Sequence, residues 1–256
     1  MGGCQSVKKE HWFEEIAEHL GPAYLRYSFT YGTTQEVETL MRILALNPGD
    51  SLLDVGCGPG RHAHEFASRG IKVTGLDISD DFIHLANQKS SENASFVCGD
   101  ARDMPYVEEF DAVISLCQGA FGLAGGPTLQ KSEGDPDGAI LSCMSRALKP
   151  GKKLALSAFS SYFQIRYLNE NSTFDVGTGI NHETTSVKNE AGESMETELW
   201  TSCFTPRELR LLATIAGLEV EEIWSVDPGD YTKRVPDLDH AEYLLIAHRP
   251  NNGEKK

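Results

Sequence analysis

Apolar positions along the chain follow two rhythms. Val37, Leu40, Met41 and Leu44 recur at helical spacing, which predicts an amphipathic helix over 34–46. Thr33-Thr34-Gln35-Glu36 has the form of a capping box ahead of it, and Asn47-Pro48-Gly49-Asp50 is a turn behind it. Upstream, residues 10–20 read as a helix that stops at Gly21-Pro22. Residues 23–31 then carry Tyr24, Tyr27, Phe29 and Tyr31, a dense aromatic segment. From Leu52 onward, short apolar runs alternate with amphipathic ones. The runs 52–55, 71–76, 94–98, 110–116 and 153–159 predict strands. Between them, 61–69, the stretch capped by Ser79 and 135–148 predict helices, the last with Pro136 in its first turn. Such alternation implies parallel strands joined by crossover helices, a doubly wound α/β fold.

The rhythm changes after the fifth strand. Two β-like runs, 182–188 and 195–204, flank Asn189-Glu190-Ala191-Gly192 and predict a β-hairpin inserted over 171–204. Thr205-Pro206-Arg207-Glu208 is a second capping box, opening a helix that ends near Gly217. Two more strands, 218–226 and 241–248, complete a mostly parallel seven-stranded sheet. A length of 256 residues suits one domain, 1–256. Within it, 1–33 is expected to form an N-terminal cap and 171–204 a lid.

Charge narrows the partners. Asp and Glu number 38 against 23 Lys and Arg, a formal net charge of −15. Such a surface repels phosphate backbones, so no nucleic-acid partner is expected. No stretch approaches the roughly 20 apolar residues of a membrane span, and no signal-peptide pattern opens the chain. A cytoplasmic location without a membrane partner is expected. The start Met1-Gly2-Gly3-Cys4-Gln5-Ser6 does fit an acylation pattern, against which stands a chance match in a flexible terminus. The six cysteines include no C-x-x-C pair, so no metal site is expected.

The chemistry concentrates in Leu53-Asp54-Val55-Gly56-Cys57-Gly58-Pro59-Gly60-Arg61-His62, a buried strand meeting a glycine-rich turn and then a helix. Missing side chains at Gly56, Gly58 and Gly60 let a ligand approach the backbone, and the helix start offers free N–H groups. A dinucleotide loop would carry a third glycine where Arg61 stands, which disfavours a nicotinamide oxidoreductase. The phosphate-cradling pattern with Gly-Lys-Ser/Thr is absent as well.

The run LLDVGCGPGRHA resembles the first signature of class I S-adenosylmethionine-dependent methyltransferases. The resemblance continues through VTGLDIS (73–79), FVCGDARDMPY (96–106), FDAVISL (110–116) and ALKPGKKLALSAF (147–159), about half the chain in the family's order. It implies a Rossmann-like fold and S-adenosylmethionine as cofactor. Asp77, 21 residues after Gly56, matches the acidic position at the ribose, where a carboxylate accepts from both hydroxyls. Asp100, with Ala101 beside it, matches the position that recognises the adenine amino group, and Ile78 is placed to pack on the adenine face. Asp54 matches the position near the methionine amino end, while Leu116 and Cys117 offer backbone carbonyls.

On the substrate side, ligands in open α/β sheets lie at the carboxyl ends of the strands. That edge includes Gln118, Gly119, Phe121, Ser160, Tyr162, Phe163 and the loop 227–240. Tyr31 and Trp200 are candidate wall residues, with packing of the lid's own small core as the competing role. Methyl transfer needs chiefly alignment and desolvation, because the cofactor is already activated. His182 and His240 are the candidates for a general base, with Glu183 and His62 behind them. The expected activity is methyl transfer to a small-molecule acceptor by in-line displacement. The alternative is a catalytically silent relative that binds the cofactor and serves as a regulatory or partner protein.

Overall fold

The computed structural model describes residues 11–89, 91–117, 119–123, 125–127 and 134–251. The acylation-like start and Gln118 lie outside the described residues. Five parallel strands form one half of the sheet: β1 (Ser51–Val55), β2 (Lys72–Asp77), β3 (Ala94–Cys98), β4 (Phe110–Ser115) and β5 (Leu148–Ser160). Two later strands, β9 (Glu219–Val226) and β10 (Glu242–His248), extend it in the order β3-β2-β1-β4-β5-β10-β9. Only β10 runs antiparallel to its neighbours, so the expected mostly parallel seven-stranded sheet is present.

Side chains that alternate along each strand feed two cores, which is why these strands read as continuous apolar runs. Val113, Leu154 and Leu245 pack under α5 (Pro136–Ala147) and α7 (Pro206–Ile215) through Ile140, Leu141 and Leu209. Their neighbours Ala112, Ile114 and Leu244 face the other way, toward α2 (Thr33–Ile43) and α3 (Arg61–Ser68) through Val37, Leu40 and Phe66. The remaining helices are α1 (Phe13–Leu20), α4 (Asp80–Gln88) and α6 (Ser161–Arg166). None of the described helices is long and apolar enough to cross a membrane.

Two local expectations resolve differently. The capping box at Thr205 and Glu208 forms, with both of its reciprocal hydrogen bonds. The one at Thr33–Glu36 does not: Gly32 precedes the helix with φ 92° and no side chain caps it. Glu36 turns inward instead, because a buried arginine, a histidine and a backbone amide compete for its carboxylate. The left-handed Gly32 lies against Gly229; a Cβ there would meet the Gly229 Cα at 2.3 Å.

The insertion after β5 has three strands and not two. β6 (Ser172–Asp175), β7 (Ile180–Lys188) and β8 (Ser194–Phe204) form an antiparallel meander. Ser172-Thr173-Phe174-Asp175 is too short and polar to read as a strand from its pattern. The end of β8 pairs in parallel with the end of β5, at Phe159–Cys203 and Ser160–Phe204, so the meander grows out of the main sheet's carboxyl edge. Val187 packs on Ile16 and Leu20 of α1, with Trp12, Tyr24 and Leu199 around them.

Candidate active site

The glycine loop leaves β1 with three left-handed residues, Gly56 (φ 74°), Gly58 (φ 54°) and Gly60 (φ 80°). Gly56 and Cys57 donate to the Leu76 carbonyl at 2.7 and 3.0 Å, which ties the loop to the end of β2. Gly60 precedes α3, and Phe96 packs where its Cβ would be. Gly56 faces Gly119, from the segment after β4, so closely that a Cβ on Gly56 would fall 2.1 Å from the Gly119 carbonyl carbon. Both positions therefore exclude any side chain.

Three carboxylates surround this loop. Asp77 accepts from the Gly58 amide at 2.8 Å and from the Ser79 amide at 2.9 Å. Burial pushes its carboxyl up to about 6, with those amides pulling the other way. Asp54 lies one layer deeper; burial, with the charge of Asp77 adding to it, pushes it up to about 7 against the pull of Arg61. Its Oδ2 is buried and has no hydrogen-bond partner among the described residues. Asp100 caps a 3-10 turn by accepting from the Arg102 amide, and its carboxylate holds the Arg102 guanidinium. Burial raises the Asp100 carboxyl, but the hydrogen bonds from Arg102 outweigh it and leave it below its ordinary value.

Two adjoining cavities open around Gly56, Asp77 and Gly119. The first, about 480 Å³, is lined by Leu76, Ile78, Asp100, Ala101, His11 and Phe13 among others. Burial and the charge of Arg102 push the His11 imidazole down to about 4, so that wall is neutral at physiological pH. The second, about 990 Å³, runs from Gly58 and Cys117 past Trp12, Tyr24 and Phe82 to Phe159, Leu199, Thr201, Ala241 and Glu242. α1 roofs both cavities through Phe13, and the inserted meander supplies Leu199 and Thr201.

Of the residues singled out in the sequence as cofactor contacts, Gly56, Gly58, Asp77, Ile78, Asp100, Ala101 and Cys117 line these cavities. Asp54, Cys57, Gly60 and Leu116 support the walls from behind: Cys57 is packed against Gly75, and Leu116 is buried in the core under α2 and α3. The substrate-side candidates are more scattered. Phe121 is fully buried and stacks on Phe204 at 4.7 Å, so it is a core residue and not a wall. Tyr31 is 64% exposed, donates to the Arg26 carbonyl and lines neither cavity. Tyr162 is half exposed on α6 and also lines neither. Trp200 faces an outer groove, where His182 stacks on it at 4.9 Å, while its edge supports Trp12. His182 lies 3.3 Å from Glu198 in that groove, and Glu183 stands opposite Leu199 on β7. His240 is held by Asp237 at 2.9 Å, next to Ala241 of the second cavity.

His62 and Arg61 belong to a buried cluster that pattern reading missed. Glu36 accepts from Arg61 at 2.8 Å, from His62 at 2.7 Å and from the Gly229 amide at 2.7 Å. Arg61 also reaches Thr33 and the Cys117 sulfur, each at 2.8 Å. Glu36, His62 and Cys117 have the composition of a cation site, and the guanidinium of Arg61 already supplies the positive charge to two of them. Burial raises the Glu36 carboxyl, but the bond from His62 and the charge of Arg61 prevail and hold it down. Burial and Arg61 lower the His62 imidazole, its Nε2 is bonded to Glu36, and His62 lines neither cavity.

Similarity to known proteins bears on what this arrangement can bind. Residues 52–151 match the family model of the methyltransferase domain. The uncharacterized methyltransferase C977.03 of Schizosaccharomyces pombe is 34% identical over 122 residues, covering 46% of this chain and 77% of that protein. The 27-O-demethylrifamycin SV methyltransferase of Amycolatopsis mediterranei is 31% identical over 135 residues. That match covers 50% of this chain and 45% of the relative, so the chain spans less than half of that relative's length. The CcbJ methyltransferase of Streptomyces caelestis has the same fold, with a TM-score of 0.71 at 18% identity, covering 94% of this chain and 99% of that one. The chain belongs to the class I S-adenosylmethionine-dependent methyltransferase family. The cofactor implied by the glycine loop is the one that gives this family its name.

Proposed function

We propose that this protein transfers a methyl group from S-adenosylmethionine to a small-molecule acceptor bound between the glycine loop and the inserted meander. The observation that carries the reading is the junction of the two cavities at Gly56, Asp77 and Gly119. The first cavity suits the adenosine, with Asp77 at the ribose, Asp100 at the adenine edge and Ile78 and Ala101 along the ring. The second begins where the methionine portion would lie, on Gly58 and Cys117. The fit is more than spatial. Gly56 and Gly58 present bare backbone, and the buried Oδ2 of Asp54 offers an acceptor for the amino end, directly or through water. Bound there, the cofactor supplies an activated methyl, and the chain supplies alignment and exclusion of water.

The remainder of the second cavity, walled by Trp12, Phe159 and Leu199, suits an acceptor of metabolite size. The net charge of −15 and the rifamycin-type acceptor named for the Amycolatopsis relative both favour a small molecule over a polyanion. The strands β7 and β8 act as a lid over that side. S-adenosylhomocysteine should raise the melting temperature and NAD should not, and labelled cofactor with a metabolite extract should yield S-adenosylhomocysteine. Stabilisation by NAD alone would overturn the reading.

A further inference from the structure

We propose that Arg61 and Tyr231 form a carboxylate subsite behind Cys117, and that it holds the amino-acid end of the cofactor. This rests on the methyl-transfer reading above. The methionine portion of S-adenosylmethionine is a zwitterion, with an ammonium and a carboxylate on one carbon. Asp54 is placed for the ammonium. The carboxylate needs donors of its own, because an anion taken out of water is costly unless it is paired. Among the described residues lining the two cavities, the only guanidinium is that of Arg102, which Asp100 holds beside the first.

Arg61 stands behind the wall of the second cavity, with its side chain 9% exposed. Its Nη1 donates to Thr33 and Glu36, while its Nη2 reaches the Cys117 sulfur at 2.8 Å, and Cys117 lines that cavity. Burial pushes the Cys117 thiol well above its ordinary value, so it is neutral and a weak acceptor. A carboxylate accepts the same N–H in a charge-assisted bond, which is about twice as strong. Tyr231 supplies the second donor. It is 1% exposed, and its phenol oxygen has no hydrogen-bond partner among the described residues. Burial raises the phenol, so it keeps its proton. The Tyr231 amide donates to Gln35 at 3.3 Å and the Gly229 amide to Glu36, so the loop before β10 is tied to the helix that holds Arg61. The ring packs in the core that Cys117 adjoins, within electrostatic reach of both Cys117 and Arg61. Asp54 is in reach of the Arg61 charge as well. The two ends of one α-amino acid thus have opposite partners on the same stretch of wall, and the stranded O–H of Tyr231 gains an acceptor when that ligand arrives.

The test is calorimetric titration of the full chain with S-adenosylhomocysteine and with 5′-methylthioadenosine, which shares the adenosine and the sulfur but lacks the amino acid. Tyr231→Phe removes the O–H and keeps the ring. It should weaken S-adenosylhomocysteine about 10- to 150-fold, the scale of a hydrogen bond to a charged group, and leave 5′-methylthioadenosine within about 3-fold. The ligand-free variant should melt no lower than the wild type, because no protein group loses a bond. An unchanged affinity for S-adenosylhomocysteine would overturn the proposal, as would an equal loss for both ligands. A clearly lower melting temperature without ligand, or failure to fold, would show that the hydroxyl serves the fold and would overturn it too. In the wild type, S-adenosylhomocysteine binding no more tightly than 5′-methylthioadenosine would overturn it without any variant. Failure of both ligands to bind would instead strike the methyl-transfer reading.

Discussion

Glu36, on the helix ahead of the sheet, and Arg61, the first residue after the glycine loop, form a buried ion pair of 2.8 Å. Their side chains are 0% and 9% exposed, so neither charge is solvated if the other is removed. The pair fixes α2 against α3 at the point where the loop turns into the helix. Glu36 also holds the Gly229 amide, and with it the loop before β10. Glu36→Ala should therefore cost about 3–5 kcal/mol, the range for breaking a buried pair, because it strands the guanidinium. Replacing both residues by apolar ones, Glu36→Leu with Arg61→Met, should cost less than the single change. Urea unfolding of the three proteins checks this; a double variant no more stable than Glu36→Ala would contradict it.

Asp77 carries the next expectation. Its carboxylate is held by the Gly58 and Ser79 amides at the mouth shared by the two cavities. Asp77→Ala should weaken binding of S-adenosylhomocysteine roughly 10- to 150-fold, the loss of hydrogen bonds to a charged group. Calorimetric titration reads this directly, and an unchanged dissociation constant would remove Asp77 from the ribose site.

Local pattern carries contacts between near neighbours in the chain and omits those between distant ones. The glycine loop, Asp77 and Asp100 were legible because each sits at a strand end within a few residues of its turn. Glu36 was misread as a helix cap because its partners Arg61, His62 and Gly229 lie 25, 26 and 193 positions away. Phe121 was placed at the substrate edge because it follows the carboxyl end of the fourth strand, yet it turns into the core, and its partner Phe204 comes from the inserted meander. Glu242 gave no signal at all: a polar residue opening a strand is ordinary, and only the pairing of β10 with β5 brings it to the cavity. Tyr24 sat in an aromatic segment that drew notice, but nothing local marked it over Tyr31 as the residue that faces the cleft.

Buried carboxyls give the protein a definite pH response. Burial raises Asp54 to about 7, and Asp77 and Asp137 each to about 6, above the roughly 3.9 of an unfolded aspartate. Between about pH 4 and pH 7 these three carboxyls keep protons in the folded chain that they have released in the unfolded one. They should accordingly contribute less stability as pH rises through that window, while the imidazoles of His11, His62 and His64, lowered chiefly by burial, contribute more. Cofactor binding should strengthen with pH, because an ionised Asp54 and Asp77 are the better acceptors for an ammonium and two hydroxyls. Affinity for S-adenosylhomocysteine should rise roughly 10- to 100-fold from pH 5.5 to 8. Thermal unfolding with and without ligand across this range tests this, and a ligand-induced shift that shrinks as pH rises would refute the assignment.

The approach of Gly56 to Gly119 is the tightest steric demand in the site. A Cβ on Gly119 would fall 2.0 Å from the Gly56 carbonyl oxygen, which is backbone and not a flexible side chain. Gly119→Ala must push the segment after β4 away from the loop. That segment lines both cavities, so both should deform. Ala120 and Phe121 of the same segment pack in the core under α5 and α7, so the melting temperature should fall as well, by roughly 2–4 °C for each kcal/mol of strain. Cofactor affinity should drop at least 10-fold. A variant that binds S-adenosylhomocysteine normally would show that the contact is slack in solution.

The inserted meander offers the sharpest separation of cofactor from acceptor. β7 and β8 touch the second cavity only through Leu199 and Thr201, and neither strand contributes to the first. Their far ends bind the N-terminal region: Tyr27 accepts from the Lys188 amide at 2.8 Å, Arg26 pairs with Glu190, and Val187 sits on Ile16 and Leu20. The strands are thus clamped to α1 and the turn after it, beside the second cavity. Replacing residues 183–199 with a short Gly/Ser linker removes Leu199 and this clamp but keeps the pairing of Cys203 and Phe204 with β5. Water then reaches the acceptor side, while the glycine loop, Asp77 and Asp100 are untouched. S-adenosylhomocysteine should bind within a few-fold of the intact protein, and methyl transfer should vanish. Normal turnover in that variant would show that the meander is no lid. Loss of cofactor binding in a folded variant would mean that α1, once unclamped, no longer holds Phe13 over the first cavity, so the two sites would share one roof.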